Sequence, residues 1–304
     1  HAREASSWAA QRATRCPPLS EMLEDRPVGP DTEGAKKFYS ELFGWEFTDY
    51  GPDYAGIRPK LHGPGEPQPD FQLHGAERHG IAGLVVASPA NPTGTVLPPD
   101  ELTALAAYCD DAGIQLVSDE IYHGISFGRA TSSAWQTSRQ GAVIGSVSKF
   151  FSMTGWRVGW MLVPAHLRRR VAILASNLTI CPPAVSQHAA LAALGEAARS
   201  ELEGHVETYR RNRELVQRRL PEIGVRTYAP PDGAFYAWCD VAHLTDDSVR
   251  WCADVLAATG VAITPGVDFD PVDGHRFMRM SLAVASDELD EAFDRMVRFV
   301  GSSS

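Results

Sequence analysis

The chain of 304 residues has no apolar run approaching the ~20 residues that a bilayer-spanning helix needs. It also lacks the basic-then-apolar order of a secretory leader. Its cysteines, Cys16, Cys109, Cys181, Cys239 and Cys252, are odd in number, and no CxxC spacing occurs. Neither a disulfide framework nor a zinc site is therefore indicated, and free thiols in a reducing cytoplasm are the plain reading. Positive charge is in deficit: Lys and Arg number 28 against 38 Asp and Glu, a formal net charge of −10. That balance argues against sequence-independent binding to nucleic acid or to an anionic membrane, while leaving room for a local basic pocket. Internal repeats and low-complexity tracts are absent. The first residue is His1 and not Met, which reads as a fragment or a processed chain.

What is present is enough apolar material, 44%, for a sizeable core and about two domains. Residues 1–30 show no period. Residues 34–43 put Phe38, Tyr39, Leu42 and Phe43 on one helical face, Trp45 to Tyr50 alternates like a strand, and the Gly- and Pro-rich residues 51–70 read as a linker. The texture changes near residue 80. Ile81–Val86, Ile114–Val117, Ala142–Ile144 and Val158–Val163 read as buried strands, and Asp100–Asp111 as a helix. Strands alternating with helices imply a parallel α/β sheet. From Ala165 to about Arg219 the pattern is helical with a break at Cys181-Pro182-Pro183. The remainder reads as a smaller α+β unit. Its strands lie near 234–241, 261–264 and 277–282, and its helices near 248–259 and 287–300.

Chemistry-bearing residues gather at the strand ends, where open α/β sheets bind ligands. Asn91, in Ser88-Pro89-Ala90-Asn91-Pro92-Thr93-Gly94, has an amide to offer, although a bare turn would use the same residues. Asp119 and Tyr122, in Val117-Ser118-Asp119-Glu120-Ile121-Tyr122, present a carboxylate and a phenol; a helix cap is the alternative for Asp119. Glu120 reads as structural, and His123 as packed or solvated and not a base. Ser146-Val147-Ser148-Lys149 ends the third strand, and Arg157 follows eight positions after Lys149. A lysine amine can form a Schiff base with an aldehyde, an arginine fork can clamp a phosphate, and a carboxylate can pair with a protonated pyridine nitrogen. Together these are the needs of pyridoxal phosphate (PLP). Arg279 sits within the apolar Phe277-Met278-Arg279-Met280, where it needs an anionic partner: a substrate carboxylate or an internal ion pair. Tyr236 and Trp238 read as core.

The four ordered motifs, Asn91–Gly94, Asp119–Tyr122, Ser146–Lys149 with Arg157, and Arg279, resemble those of the class I/II aminotransferases of PLP fold type I. The resemblance runs from about residue 71 to the C-terminus. It implies an α/β large domain, a mostly parallel sheet with flanking helices, over 71–200, and a small α+β C-terminal domain over 201–304. It also implies a homodimer and a ping-pong transfer of an amino group between an α-amino acid and a 2-oxo acid. By the same resemblance Lys149 is the catalytic residue. Asn91, Asp119 and Tyr122 hold the cofactor ring, Ser146, Ser148 and Arg157 hold its phosphate, and Asn91 and Arg279 hold the substrate. A PLP-dependent lyase on the same scaffold is the alternative. The family's long N-terminal stretch, with its phosphate-gripping loop and stacking ring, has no counterpart in residues 1–70, so an impaired remnant is a further reading. Residues 31–57 instead resemble the opening helix and strand of a glyoxalase/bleomycin-resistance module. Since His62, His74 and His79 lie in linker-like sequence, no metal site is expected there. The chain thus reads as a junction of two pieces, with residues 1–70 as the separate one.

Overall fold

The structure, a computed structural model, describes residues 46–49, 54–58 and 83–302. The expected helix at 34–43 and the histidines His62, His74 and His79 lie outside the described residues. A six-stranded sheet takes the order β1 (Glu46–Asp49), β2 (Tyr54–Arg58), β3 (Gly83–Ala87), β4 (Gln115–Asp119), β5 (Ala142–Ser146) and β6 (Gly159–Leu162). A second sheet of three strands takes the order β7 (Tyr236–Asp240), β9 (Phe277–Ser281), β8 (Thr264–Pro265).

β3, β4 and β5 run parallel, so their carboxyl ends share one edge: Ala87 is paired with Asp119, and Asp119 with Ile144. The sheet is mostly parallel, as expected, with β6 returning antiparallel to β5 at its far edge. Val147–Val158 separates them and holds a single 3-10 turn at Thr154–Trp156 in place of a crossover helix. One expectation needs correction: residues 51–70 are not all linker, since Tyr54–Arg58 forms β2, antiparallel to β1 and parallel to β3.

Helix α1 (Pro99–Ala112) turns Leu102, Leu105, Ala106 and Cys109 onto the sheet, where they pack with Leu84, Val86, Leu116 and Val143. Gly113 ends it in the left-handed conformation that a side chain resists. The short α2 (Ala134–Thr137) follows Ser133, whose hydroxyl accepts the Trp135 N–H. Three helices occupy the stretch expected to be helical, α3 (Ala165–Leu178), α4 (Ala184–Ala193) and α5 (Glu196–Arg219), with the break at the Cys-Pro-Pro sequence. No described helix is long and apolar enough to cross a membrane.

The second core forms where α5, α6 (Ser248–Thr259) and α7 (Ser286–Ser302) cover the three-stranded sheet. Asp247 caps α6 by accepting the N–H groups of Val249 and Arg250. Asn212 in the middle of α5 is wholly buried and donates to the carbonyls of Leu282 and Val284, both at 2.8 Å, which ties the helix to the chain leaving β9. Phe293 is likewise wholly buried among Val255, Met278 and Met296. Phe293→Ala is expected to cost about 3–5 kcal/mol, as large-to-small changes in closed cores do. A shift of the urea midpoint worth less than 1 kcal/mol would show that this core collapses around the gap.

Candidate functional site

The three parallel strands each end in a turn that carries a predicted residue. After β3, the Ser88 N–H reaches the Asp119 carbonyl (3.1 Å), and Ala90 and Gly94 close the Asn91 loop (2.9 Å). Gly94 has φ +73°, and a Cβ there would lie 2.9 Å from the Tyr236 carbonyl. Its own carbonyl accepts the Gly233 N–H at 2.7 Å, so only glycine lets this loop lie against the chain entering β7. After β4, the Asp119 carboxylate accepts the Ile121 N–H (3.1 Å), and Glu120 is buried, accepting from Ser118 Oγ (3.0 Å) and the Ala134 N–H (2.8 Å). Glu120 is thus fully engaged in structure, as its sequence position suggested. His123 stands 3.4 Å from it.

After β5, Ser146 Oγ lies 2.9 Å from Ser148 Oγ and accepts the Ser148 N–H at 3.0 Å. The Lys149 carbonyl accepts the Ser152 N–H (3.0 Å) and the Ser148 carbonyl accepts the Thr154 hydroxyl (2.7 Å), which folds the chain tightly about Lys149. Lys149 Nζ points over aromatic faces, 5.5 Å from the Tyr122 ring centre and 5.9 Å from that of Phe235, and it makes no ion pair among the described residues. Desolvation, then the charges of Arg279 and Arg157, hold its pKa below the ordinary lysine range, and Asp119 acts in the opposite sense. Burial raises the Asp119 carboxyl above its usual range; the Ile121 N–H counteracts this, Glu120 adds to it, and His123 and Lys149 lower it. Arg157 is exposed, in a left-handed conformation (φ 54°), with one guanidinium N–H on the Thr154 carbonyl (3.0 Å).

Arg279 arrives from the other sheet. Its Nη1 donates to Asn91 Oδ1 at 2.7 Å and its Nη2 to Thr264 Oγ1 at 3.4 Å, while its buried Nε has no partner among the described residues. The guanidinium lies 4.3 Å from the Tyr236 ring centre and 4.4 Å from that of Phe269. The Asn91 amide oxygen is therefore turned toward Arg279. The structure brings together Asn91, Asp119, Tyr122, Lys149 and Arg279, with Ser146, Ser148 and Arg157 on the turn that holds Lys149.

Tyr236, Phe235 and Phe269 were not marked as site residues by the sequence. The Tyr236 hydroxyl meets that of Tyr122 at 2.8 Å. The available signal was the strand register: Trp238 pairs with Arg279, so Tyr236, two residues before Trp238, is a same-face diagonal neighbour of the arginine.

The electrostatics make a direct prediction. The fraction of neutral Lys149 amine, read from the pH dependence of its acylation by mass spectrometry, is expected to rise at lower pH than for a free lysine side chain. Arg279→Gln removes a lowering charge and moves the midpoint up. Asp119→Asn removes a raising charge and moves it down. Identical profiles in all three proteins would refute the proximity of these charges.

Residues 68–296 match the family model described as aminotransferase class I and II. The valine–pyruvate aminotransferase of Mycobacterium tuberculosis is 49% identical over 231 residues, covering 75% of this chain and 60% of that protein. The aspartate/prephenate aminotransferase of Thermus thermophilus is 37% identical over 221 residues, covering 72% and 56%. Among solved structures, an aminotransferase from Mycobacterium tuberculosis matches with a TM-score of 0.71 at 50% identity, over 73% of this chain and 58% of that one. The Thermus thermophilus aspartate aminotransferase with maleate matches with a TM-score of 0.67 at 36% identity, over 72% and 57%. The chain thus spans some 60% of the length of the relatives it matches. With its parallel strand ends meeting a second sheet at Lys149 and Arg279, and its sequence matched over 68–296, the chain belongs to the class I and II aminotransferases and has their fold.

Proposed function

We propose that this chain carries the lysine side of a PLP-dependent transaminase site and moves an amino group between an α-amino acid and a 2-oxo acid. The observation that carries the reading is the convergence of Asp119 and Tyr122 at the end of β4, Lys149 after β5 and Arg279 on β9. The donor set suits the cofactor. A half-buried carboxyl with a raised pKa suits a protonated ring nitrogen as its partner, and the Arg279 Nε, buried and unpartnered, suits an incoming carboxylate. In this reading Asp119 faces the ring nitrogen, Tyr122 and Asn91 the ring oxygen, and Ser146, Ser148 and Arg157 the phosphate. Bound PLP supplies an aldehyde that takes the amino group and a protonated ring that accepts the electron pair of the substrate Cα–H bond.

The chain's own residues do the rest. The Lys149 amine, held neutral more readily than in water, takes the proton from the substrate Cα and returns it one position away. Arg279, anchored by Asn91 and two aromatic rings, grips the α-carboxylate and so fixes which substrate bond faces Lys149. Phe235 and Tyr122 line the space beside the amine and limit water there.

A large domain over 71–200, a small one over 201–304 and a cytoplasmic homodimer complete the proposal. Its support for association is the row of exposed apolar side chains, Leu178, Ile180, Leu191 and Leu194, on and beside α3 and α4. Light scattering at twice the chain mass of 33.1 kDa would bear this out.

The activity is tested by supplying PLP, 15N-labelled valine and pyruvate, valine being suggested by the name of the Mycobacterium relative. Labelled alanine that disappears with Lys149→Ala supports transamination. Release of labelled ammonia without an oxo acid supports a lyase. Neither product, with a panel of amino acids, rejects the catalytic reading for this chain.

A further inference from the structure

We infer that Tyr236 is a positioning residue of this site: its hydroxyl fixes the hydroxyl of Tyr122 while its ring face holds the guanidinium of Arg279. The part of the inference that concerns carboxylate binding rests on the proposed function; the geometry does not.

Tyr236 opens β7 and is 6% exposed. A tyrosine that served only to fill the core would use its ring and leave the hydroxyl to any convenient carbonyl. Here the hydroxyl is spent on another side chain, Tyr122, 114 residues away in sequence and 2.8 Å away in space. The two rings stand edge to face, with centres 5.7 Å apart. The face of the Tyr236 ring is also occupied, by Arg279 at 4.3 Å. One rigid side chain with two rotatable bonds therefore touches both a group beside Lys149 and a group from β9.

The consequence is geometric. Two phenols have two hydroxyl hydrogens, and one is consumed within the pair, so the pair offers a single donor outward. Tyr236 thereby limits the Tyr122 hydroxyl to donating to it or accepting from it. The Arg279 guanidinium is held at the same time by a cation–π contact, which favours one position of its plane over the ring. The distance between the Tyr122 hydroxyl and the Arg279 guanidinium is then set through one residue and not by two independent rotamers. The backbone adds to this: the Tyr236 carbonyl closes against Gly94, so the Asn91 loop is referenced to the same residue.

Two variants separate the two contacts. Tyr236→Phe removes one oxygen and keeps the ring; Tyr236→Leu removes both. In the full chain without cofactor, with 13Cζ-labelled tyrosine, a slowly exchanging hydroxyl proton is expected on Tyr122, assigned by its loss in Tyr122→Phe. Tyr236→Phe is expected to speed that exchange at least tenfold while leaving the acylation profile of Lys149 unchanged. Tyr236→Leu is expected to quicken labelling of Arg279 by a dicarbonyl reagent about fivefold, the size of a modest cation–π contact, and to move the Lys149 profile upward as Arg279 relaxes away.

An unchanged Tyr122 exchange in Tyr236→Phe, or unchanged Arg279 labelling and Lys149 profile in Tyr236→Leu, overturns the inference. None of these readouts needs PLP. Failure of the wild-type chain to bind PLP would count against the proposed function and would leave this test intact.

Discussion

Lys149→Ala is expected to abolish every visible-range absorbance change that PLP undergoes on mixing with this chain, while leaving the fold in place. Lys149 is the residue that the turn after β5 aims across the Tyr122 and Phe235 rings, and desolvation together with two nearby guanidinium charges favours its neutral, nucleophilic form. A carbon–nitrogen bond to the aldehyde needs that amine, and alanine offers none. Lys149→Arg keeps the charge without the nucleophile and is expected to behave like the alanine variant. Any turnover is expected to fall by more than the ~10²–10⁴ that a positioned acid–base group supplies, because the same side chain both holds the aldehyde and moves the proton. Lys149 is half-buried at a turn, so unfolding does not explain a loss; superimposable far-UV circular dichroism would verify this. A band that persists in Lys149→Ala would place the covalent attachment elsewhere and end this reading of the site.

The sequence was legible where burial and spacing leave few choices. β3, β4 and β5 are short apolar runs followed by polar strand-end residues, and a parallel sheet buried on both faces produces that texture. Arg279 stood out because an arginine within Phe277–Met280 has no place in a core without a partner. Tyr236 was obscured for the opposite reason: in Ala234-Phe235-Tyr236-Ala237-Trp238 an aromatic residue is what a buried strand contains anyway. Its role depends on pairing β7 with β9 and on meeting Tyr122, a contact between residues 114 positions apart. β2 was obscured by composition, since the prolines and glycines around it are the usual marks of a linker, whereas its place is set by hydrogen bonding to β3. β8 is only Thr264–Pro265, and the Pro265 ring, without an N–H, ends the ladder there. The direction of β6 was hidden because it depends on how its connection folds and not on its own residues.

Arg279→Ala is the substitution expected to separate recognition from chemistry. In the structure the guanidinium is already oriented: Asn91 Oδ1 takes one N–H, Thr264 a second, and the Tyr236 and Phe269 rings flank it. One N–H on each Nη and the buried Nε N–H remain unused, and a planar fork with unused N–H groups is suited to a carboxylate. Two charge-assisted hydrogen bonds at about 1.5–3 kcal/mol each correspond to roughly 10²–10⁴ in affinity for a 2-oxo acid. Arg279→Lys keeps the charge and loses the fork, so it is expected to recover only part of that, about one hydrogen bond's worth. The decisive comparison is with an amine that has no carboxylate. If Arg279 acts by gripping the substrate, Arg279→Ala weakens the acid and leaves the simple amine unaffected apart from the upward shift of the Lys149 profile. Equal weakening of both would mean that Arg279 serves Asn91 and the aromatic pair structurally, and that the carboxylate is bound by a group elsewhere in the chain.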